Sequence, residues 1–224
     1  MKVCAISDTH TMLSQVDLPK ADLLLIGGDI TYTGSPKEMA QFAQDLRNIR
    51  SRKLYRQIIL TPGNHELTSE DNPTWFRSMI DGLCIYLHDD QFVFEGVKVY
   101  ASGWTPYFHH WAWNLDERDH LRDYAHANRV WNKIPDDTKI LLTHGPPRNI
   151  LDLCNRDERV GDVVLRKRVF ELADTGNLRY HCFGHIHRNL KDHKTEVHQG
   201  VTFANVAICD EKYKPVNPAF VFEI

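Results

Sequence analysis

The chain has 224 residues and a formal net charge of −3 at pH 7, with 42% hydrophobic and 25% charged residues. This composition is ordinary for a soluble globular protein, and the length suits one domain or one domain with an added segment. The small negative charge excludes the strong basic field of proteins that coat nucleic acids, and no apolar run approaches the roughly 20 residues that span a bilayer. A nuclease stays open, because it can bind phosphate through metal.

In chain order, the predicted elements are strands at 2–7 and 21–27, a helix at 36–50, a strand at 57–61, a short helix at 73–81, a hairpin of 91–95 and 97–101, a helix at 117–132, a strand at 138–143, a helix at 162–174, a strand at 179–183 and β-like segments around 197 and at 201–204, 206–208 and 219–224. The run at 21–27 is almost continuously apolar, as in a strand buried on both faces. Ser35 and Glu38 form a capping box around Pro36, and Asp162 is the expected cap of a later helix. This alternation predicts an α/β fold of one domain.

The N-terminus and the cysteines favour a cytoplasmic protein. Asp8 follows the first apolar run too soon for a secretory signal peptide. The five cysteines are scattered and form no Cys-x-x-Cys pair. We therefore expect reduced, mostly buried thiols.

Five predicted strands end in polar side chains that suit a metal site: Asp8 and His10; Asp29; Asn64 and His65; His144; His185 and His187. Ligands of α/β proteins gather outside the carboxyl ends of strands, so neighbouring strands in one sheet would place all five groups on one rim. Each group alone has a structural explanation, such as a turn at Asn64 or a hydrogen-bonded core histidine at His144. Five strand ends of the same kind favour the metal site.

The types and number of these side chains indicate two divalent ions. Carboxylates, an amide oxygen and imidazoles without thiolate suit Mn²⁺, Fe²⁺, Zn²⁺ or Ni²⁺, with Mg²⁺ also open, and Mn²⁺ is our first choice. Eight candidate groups on one ion would leave no open position. Two ions about 3.5–4 Å apart that share one carboxylate would use the whole set.

The motifs together resemble the signature of the calcineurin-like metallophosphoesterases. They are, in order, Asp8-Thr9-His10, Gly28-Asp29, Gly63-Asn64-His65-Glu66, His144-Gly145 and Gly184-His185-Ile186-His187. The resemblance implies a sandwich of two mixed β-sheets flanked by helices (αββα) in a single domain over 1–224, with an aromatic-rich insertion at about 104–135. The start of the chain, the His144-Gly145-Pro146-Pro147 segment and the Trp104-Thr105-Pro106-Tyr107 segment are similar to the small metallophosphoesterase-domain phosphodiesterases.

The resemblance also implies a role for each site residue. One ion would be bound by Asp8, His10, Asp29 and His187, and the other by Asp29, Asn64, His144 and His185, so that Asp29 bridges. His65 would face the substrate and assist the leaving group, with Glu66 or another carboxylate keeping it protonated. Asp29 and His65 are thus the expected catalytic residues.

The substrate contacts are expected in and near the aromatic-rich insertion. Its tryptophans either anchor a packed segment or form a rim on which a base stacks. The candidate substrate contacts are Asn64, Trp104, Tyr107 and Arg148, although Arg148 also fits a solvated loop. The insertion's remaining histidines are expected to be surface residues rather than ligands: His109, His110, His120 and His126.

The best-supported function at this stage is hydrolysis of small nucleotide-type phosphodiesters, with cyclic nucleotides as the first choice. The alternatives are a phosphomonoesterase, including a protein phosphatase, and a nuclease. A non-catalytic binding module on the same fold would be marked by lost ligands, and none is lost. We expect a small phosphoester partner, no membrane association and no stable nucleic-acid partner, while the oligomeric state stays open.

Overall fold

The computed structural model of the chain describes residues 1–116, 118–188 and 194–224. The strands and helices are β1 (Lys2–Ile6), β2 (Leu23–Ile26), α1 (Pro36–Ser51), β3 (Gln57–Leu60), α2 (Leu67–Asp71), α3 (Pro73–Ile80), β4 (Ile85–Tyr86), β5 (Asp90–Phe94), β6 (Val97–Ser102), α4 (Ala125–Trp131), β7 (Ile140–Thr143), α5 (Val163–Asp174), β8 (Tyr180–Phe183), β9 (Thr195–His198), β10 (Val201–Asn205) and β11 (Phe220–Glu223). Short 3₁₀ helices lie at Leu13–Gln15 and Asp119–Arg122.

The strands form two mixed sheets. The first has the order β11-β1-β2-β3-β4, in which β1 to β4 are parallel and β11 is antiparallel to β1. The second has the order β5-β6-β7-β8-β10-β9, with four parallel strands between the antiparallel edge strands β5 and β9. The predicted hairpin is confirmed as the β5–β6 pair.

The two sheets pack face to face, and helices cover their outer faces. Leu25 of the first sheet and Leu142 of the second belong to one buried cluster between the sheets. Phe42 of α1 and Phe76 of α3 cover the first sheet, and Trp131 of α4 lies in the cluster over the second. Full burial of such a side chain contributes about 1.5–3 kcal/mol. This arrangement confirms the predicted αββα fold.

The predicted helix caps are confirmed. The hydroxyl of Ser35 accepts the backbone N–H of Glu38 at 3.5 Å, and the Glu38 carboxylate accepts the backbone N–H of Ser35 at 2.9 Å. Asp162 accepts the backbone N–H groups of Val164 and Leu165 at 2.6 and 2.7 Å. Each such cap contributes about 1 kcal/mol and fixes where its helix begins.

Two predicted elements are wrong. The helix at 117–132, whose first residue lies outside the described residues, is not continuous: Asp123 and Tyr124 have left-handed φ values of 51° and 56° between the 3₁₀ turn and α4. Left-handed residues interrupt helical hydrogen bonding. Residues 206–208 form only an isolated bridge from Ser7 to Ala207 instead of a strand.

All five cysteines are free, and Cys4, Cys182 and Cys209 are buried, as expected for reduced thiols. Within the described ranges, none of the helices has both the length and the apolar character that crossing a bilayer requires.

A buried histidine of β8 should make the protein acid-sensitive. His181 is fully buried, and burial lowers its pKa to about 3. The unfolded chain therefore binds a proton at this group below its usual pKa of about 6.5, whereas the folded chain does not, so stability falls as the pH falls. We expect the free energy of unfolding to fall by about 2 kcal/mol less between pH 7 and pH 5 in His181→Phe than in the unmutated protein. Urea unfolding at both pH values measures this difference.

The exposed His110→Phe variant is the matched control, and its pH dependence should follow that of the unmutated protein. If His181→Phe also follows it, His181 is not the group responsible.

Candidate metal centre

The seven predicted ligands lie together at the carboxyl ends of strands from both sheets. The loops after β1, β2 and β3 come from the first sheet, and the loops after β7 and β8 come from the second. The expectation of one rim on one sheet is therefore corrected, because the ligands meet at the seam where the two sheets pack. The backbone N–H of His185 joins the sheets directly, since it donates to both carboxylate oxygens of Asp8 at 3.0 Å.

Two glycines allow this close approach. A Cβ at Gly184 would overlap the side chains of Asp8 and Ser7. A Cβ at Gly63 would overlap the carboxylate of Asp29 and the ring of His144. The glycines next to the ligands thus let the ligand loops pack against each other.

The first group of candidate ligands comprises Asp8, His10, Asp29 and His187, whose ligand atoms all lie within 4.8 Å of one another. His187 Nε2 lies 2.9 Å from Asp8 Oδ1 and 3.2 Å from His10 Nε2. His10 Nε2 lies 4.0 Å from Asp29 Oδ2.

The second group comprises Asp29, His144 and His185 within the same 4.8 Å limit, and Asn64 joins it through its side-chain oxygen. Asn64 Oδ1 lies 2.9 Å from His144 Nε2 and 2.8 Å from His185 Nδ1. Asp29 Oδ2 lies 3.3 Å from His144 Nε2. Asp29 is thus common to both groups, and His185 and His187 fall on opposite sides of it.

These donors fit divalent metal ions. Donor atoms about 2.0–2.2 Å from one ion lie within about 4.4 Å of each other, close to the separations within each group. Two carboxylates, four imidazoles and an amide oxygen suit a borderline-to-hard ion. Asp8 and Asp29 are buried, and no lysine or arginine of the described ranges forms an ion pair with them. A bound cation would supply the missing positive charge.

Backbone carbonyls orient two of the imidazoles. His10 Nδ1 lies 2.9 Å from the Thr31 carbonyl oxygen, and His144 Nδ1 lies 2.8 Å from that of Gly27. Since a carbonyl only accepts, Nδ1 carries a proton in each ring and Nε2 faces the cluster. This is the usual way in which a metal-binding histidine is fixed.

The charges of the cluster also suit metal binding. Burial alone would raise the pKa of Asp29, yet the adjacent His144 holds it well below its usual value. Burial would lower the pKa of His144, but the Asp29 carboxylate raises it to about 9. Burial lowers the pKa of His10 to about 4 and that of His185 to about 3. A metal ion binds the deprotonated form of each imidazole, so metal affinity should fall with falling pH.

Glu66 holds the loops after β2 and β3 together. Its carboxylate accepts the backbone N–H groups of Asp29 and Gly63, both at 2.8 Å, and that of Thr31 at 3.0 Å. It also accepts the Thr31 hydroxyl at 2.8 Å. Of the two alternatives for the carboxylate beside His65, Glu66 or another, the structure therefore favours another. The carboxylate oxygen near His65 Nε2 is Oδ2 of Asp29, at 3.9 Å.

Glu66→Ala should destabilise the protein strongly. The substitution leaves three buried N–H groups without an acceptor, each costing about 1–3 kcal/mol. We expect a total loss of about 3–5 kcal/mol, measured by denaturant unfolding of the metal-free protein. The exposed Glu158→Ala should change little, and a Glu66→Ala loss below about 1 kcal/mol would contradict the role of Glu66.

His65 lies beside the two groups and is fixed on two sides. Its Nδ1 lies 2.7 Å from the Tyr32 carbonyl oxygen, and its backbone N–H donates to Asp29 Oδ1 at 2.9 Å. The ring of Trp111 packs on it at a centroid distance of 4.1 Å and an angle of 30°. His65 Nε2 therefore faces the carboxylate of Asp29, with Oδ2 at 3.9 Å.

The predicted substrate contacts lie in different surroundings. Tyr107 and Arg148 line one cavity of about 300 Å³ between the insertion and the start of α5. None of the seven candidate ligands lines this cavity, and the nearest link to the cluster is Phe108, next to Tyr107 in the sequence, whose ring lies 6.2 Å from that of His185. The indole N–H of Trp104 instead donates to Asp89 at 3.2 Å, and its ring packs on other rings of the insertion. Those are the contacts of an anchoring residue.

Three aromatic residues at the site were not anticipated as neighbours of the ligands. Tyr32 stacks on His10 with centroids 5.3 Å apart, Trp111 covers His65, and Tyr213 contacts both His10 and His187. These residues come from three distant parts of the chain. The aromatic content of the insertion was a sequence signal for Trp111, whereas Tyr32 and Tyr213 had no such signal.

Comparisons with known proteins agree with this geometry. A family model described as calcineurin-like phosphoesterase matches residues 1–189. Human Metallophosphoesterase domain-containing protein 1 is 32% identical over 248 residues, covering 99% of this chain and 70% of the human protein. A UPF0046 protein of Caenorhabditis elegans is 29% identical over 244 residues, covering 100% of this chain and 75% of that protein. One crystal structure has a TM-score of 0.60 at 14% identity, covering 94% of this chain and 91% of the other, a similarity of fold alone.

Proposed function

Because the chain belongs to the calcineurin-like phosphoesterase family, whose members are metal-dependent phosphoester hydrolases, we propose that it is a dinuclear-metal phosphodiesterase for small nucleotide-type diesters. Cyclic nucleotides are the first choice of substrate. The observation that carries the proposal is the pair of ligand groups that share Asp29. Two ions, Mn²⁺ by preference, would be bound there by Asp8, His10, Asp29, Asn64, His144, His185 and His187.

In this proposal the bound ions supply Lewis acidity and an activated water at neutral pH. The remaining roles belong to residues of the chain. Asp29 sets the spacing of the two groups through its shared carboxylate. His65, in its doubly protonated form, would donate the Nε2 proton to the leaving oxygen and become the neutral ring, whose Nδ1–H stays bonded to the Tyr32 carbonyl. Asn64, as a ligand, also borders the space where the phosphate would lie.

The surroundings of the site favour a substrate with an aromatic group. Tyr32, Phe108 and Tyr213 are 39%, 49% and 39% exposed, and their rings contact histidines of the cluster. Exposed aromatic rings near a phosphate site suit a base, which stacks on them. The cavity lined by Tyr107 and Arg148 would hold the remaining part of the substrate, and the Arg148 guanidinium, which donates to the Arg159 carbonyl at 2.8 Å, has further N–H groups for a phosphate oxygen.

The wider setting is part of the same proposal. The chain acts as a single domain, and the aromatic-rich insertion at about 104–135 contributes substrate contacts. Trp104 anchors that insertion. The five free thiols support a cytoplasmic location. The substrate is a small molecule rather than a nucleic acid, in keeping with the net charge of −3.

A substrate panel in the presence of Mn²⁺ tests the proposal. It contains bis-p-nitrophenyl phosphate, p-nitrophenyl phosphate, 2′,3′- and 3′,5′-cyclic nucleotides, a phosphopeptide and single-stranded DNA. We expect the diesters to be hydrolysed with the higher kcat/KM, and at least one cyclic nucleotide among them. Strong monoester or phosphopeptide turnover without diester turnover would make the protein a phosphatase, and preferred cleavage of DNA would make it a nuclease.

Arg148→Gln should separate nucleotide from aryl substrates. If the guanidinium in the cavity contacts a nucleotide, its loss removes a charged hydrogen bond worth about 1.5–3 kcal/mol, or about 10–100-fold in KM. The KM for bis-p-nitrophenyl phosphate should stay nearly unchanged if this smaller diester occupies only the metal centre, since no candidate ligand lines the cavity. The exposed Arg156→Gln serves as control, and an equal effect on both substrates would remove Arg148 from this role.

A further inference from the structure

A tyrosine from the C-terminal segment packs on two candidate ligands of the first ion. The ring centroid of Tyr213 lies 4.8 Å from that of His10 and 5.2 Å from that of His187. Both contacts are edge-on, with interplanar angles of 77° and 87°. Tyr213 thus contacts, with one ring, two imidazoles that come from opposite ends of the ligand set.

The backbone of this segment holds the ring in place. Tyr213 has a φ of 55°, a left-handed conformation that costs a non-glycine residue about 1 kcal/mol or more. Asp210 stabilises the turn, because its carboxylate accepts the backbone N–H groups of Lys212 and Lys214, both at 2.9 Å. The turn starts next to the cluster, where the N–H of Cys209 donates to the Asp8 carbonyl at 3.3 Å.

Burial does not explain why the ring lies there. Tyr213 is 39% exposed, so a large part of its surface stays in water. Its hydroxyl makes no hydrogen bond within the described residues. Its aromatic contacts among the described residues are with the two histidines and with Tyr32, whose ring lies 5.5 Å away.

Among the described residues, neither His185 nor His187 has the backbone carbonyl contact that orients His10 and His144 from behind. His10 and His144 each have Nδ1 fixed by a backbone carbonyl. For His187, no acceptor of Nδ1 is found among the residues that the structure describes. The contacts that orient the ring are therefore that of Nε2 with Asp8 Oδ1 at 2.9 Å and the edge-on packing of the His10 and Tyr213 rings.

We propose that Tyr213 is a positioning residue for the first metal ion, whose ring holds the imidazole of His187 against that of His10. The proposal rests on the dinuclear centre proposed above. Groups that orient a ligand typically change metal affinity 10–100-fold when they are removed.

The test is a Mn²⁺ titration of the metal-free protein. Binding is monitored by calorimetry and by the electron paramagnetic resonance signal of free Mn²⁺. The unmutated protein should bind two ions. Tyr213→Leu should weaken one of the two sites about 10–100-fold and leave the other unchanged. Tyr213→Phe keeps the ring and should bind both ions as the unmutated protein does.

Tyr213→Asn separates the ring from the backbone turn. Asparagine adopts left-handed φ values readily, so this variant keeps the turn but lacks the ring, and it should lose affinity as Tyr213→Leu does. Two full-affinity sites in both ringless variants, or a Tyr213→Phe loss equal to that of Tyr213→Leu, would overturn the role of the ring. Fewer than two ions in the unmutated protein would instead overturn the dinuclear centre itself.

Discussion

Asp29→Asn is expected to reduce metal retention and activity together, with the largest effect of any single substitution. Asparagine keeps the shape of the side chain, tolerates the φ of 50° at this position and can still accept the backbone N–H of His65. It removes the one charge common to both ligand groups. If the bound ions then stabilise the transition state by about 4 kcal/mol less, kcat/KM falls by about 10³-fold or more.

The measurement combines metal content after dialysis with diester hydrolysis at saturating Mn²⁺. Asp45→Asn is a matched control, because Asp45 is also a buried aspartate, 4% exposed, but lies on α1 away from the ligands. It should keep two ions and full activity. An Asp29→Asn protein that retains two ions and loses less than about tenfold in activity would contradict the bridging role.

His65→Ala is expected to separate metal binding from turnover. His65 contacts Asp29 only through its backbone N–H at 2.9 Å and a ring nitrogen at 3.9 Å, so its removal should leave both ions bound. General acid assistance typically contributes 10²–10⁴-fold, and kcat should fall by about that amount. Metal content and kcat measured on the same sample test both halves of the expectation.

The leaving group provides a sharper version of this test. A p-nitrophenolate leaves without a proton, whereas an alkoxide such as a ribose oxygen needs one. The His65→Ala loss should therefore be larger for a cyclic nucleotide than for bis-p-nitrophenyl phosphate. The exposed His110→Ala is the control, and an unchanged kcat or an equal loss on both substrates would remove His65 as the proton donor.

The ligand loops could be predicted from the sequence because each ligand motif immediately follows a strongly apolar strand. His144 and the His185-His187 pair follow β7 and β8 as directly as Asp8 follows β1. The position of the ligands at the seam between the two sheets could not be predicted in the same way. Which strands are neighbours depends on packing between distant segments, and periodicity reports only the exposure of each strand by itself. The resemblance to a known family, rather than the pattern, supplied the two-sheet arrangement.

The contacts around the ligands were the least predictable part of the site. The sequence left open whether Glu66 or another carboxylate lies beside His65, and the turn from Gly63 to Glu66 directs the Glu66 carboxylate to the backbone of the neighbouring loop instead. The break between the 3₁₀ turn and α4 depends on left-handed residues, Asp123 and Tyr124, that carry no glycine signal. Tyr213 is 26 residues beyond His187 in the sequence, and its contact with that ring exists only in the folded chain.

The most direct test of the central claim is a crystal structure with Mn²⁺ and its anomalous difference map. We expect two peaks about 3.5–4 Å apart with Asp29 between them. One peak should be bound by Asp8, His10 and His187, and the other by Asn64, His144 and His185. A single peak, or two peaks with His185 and His187 on the same ion, would contradict that claim.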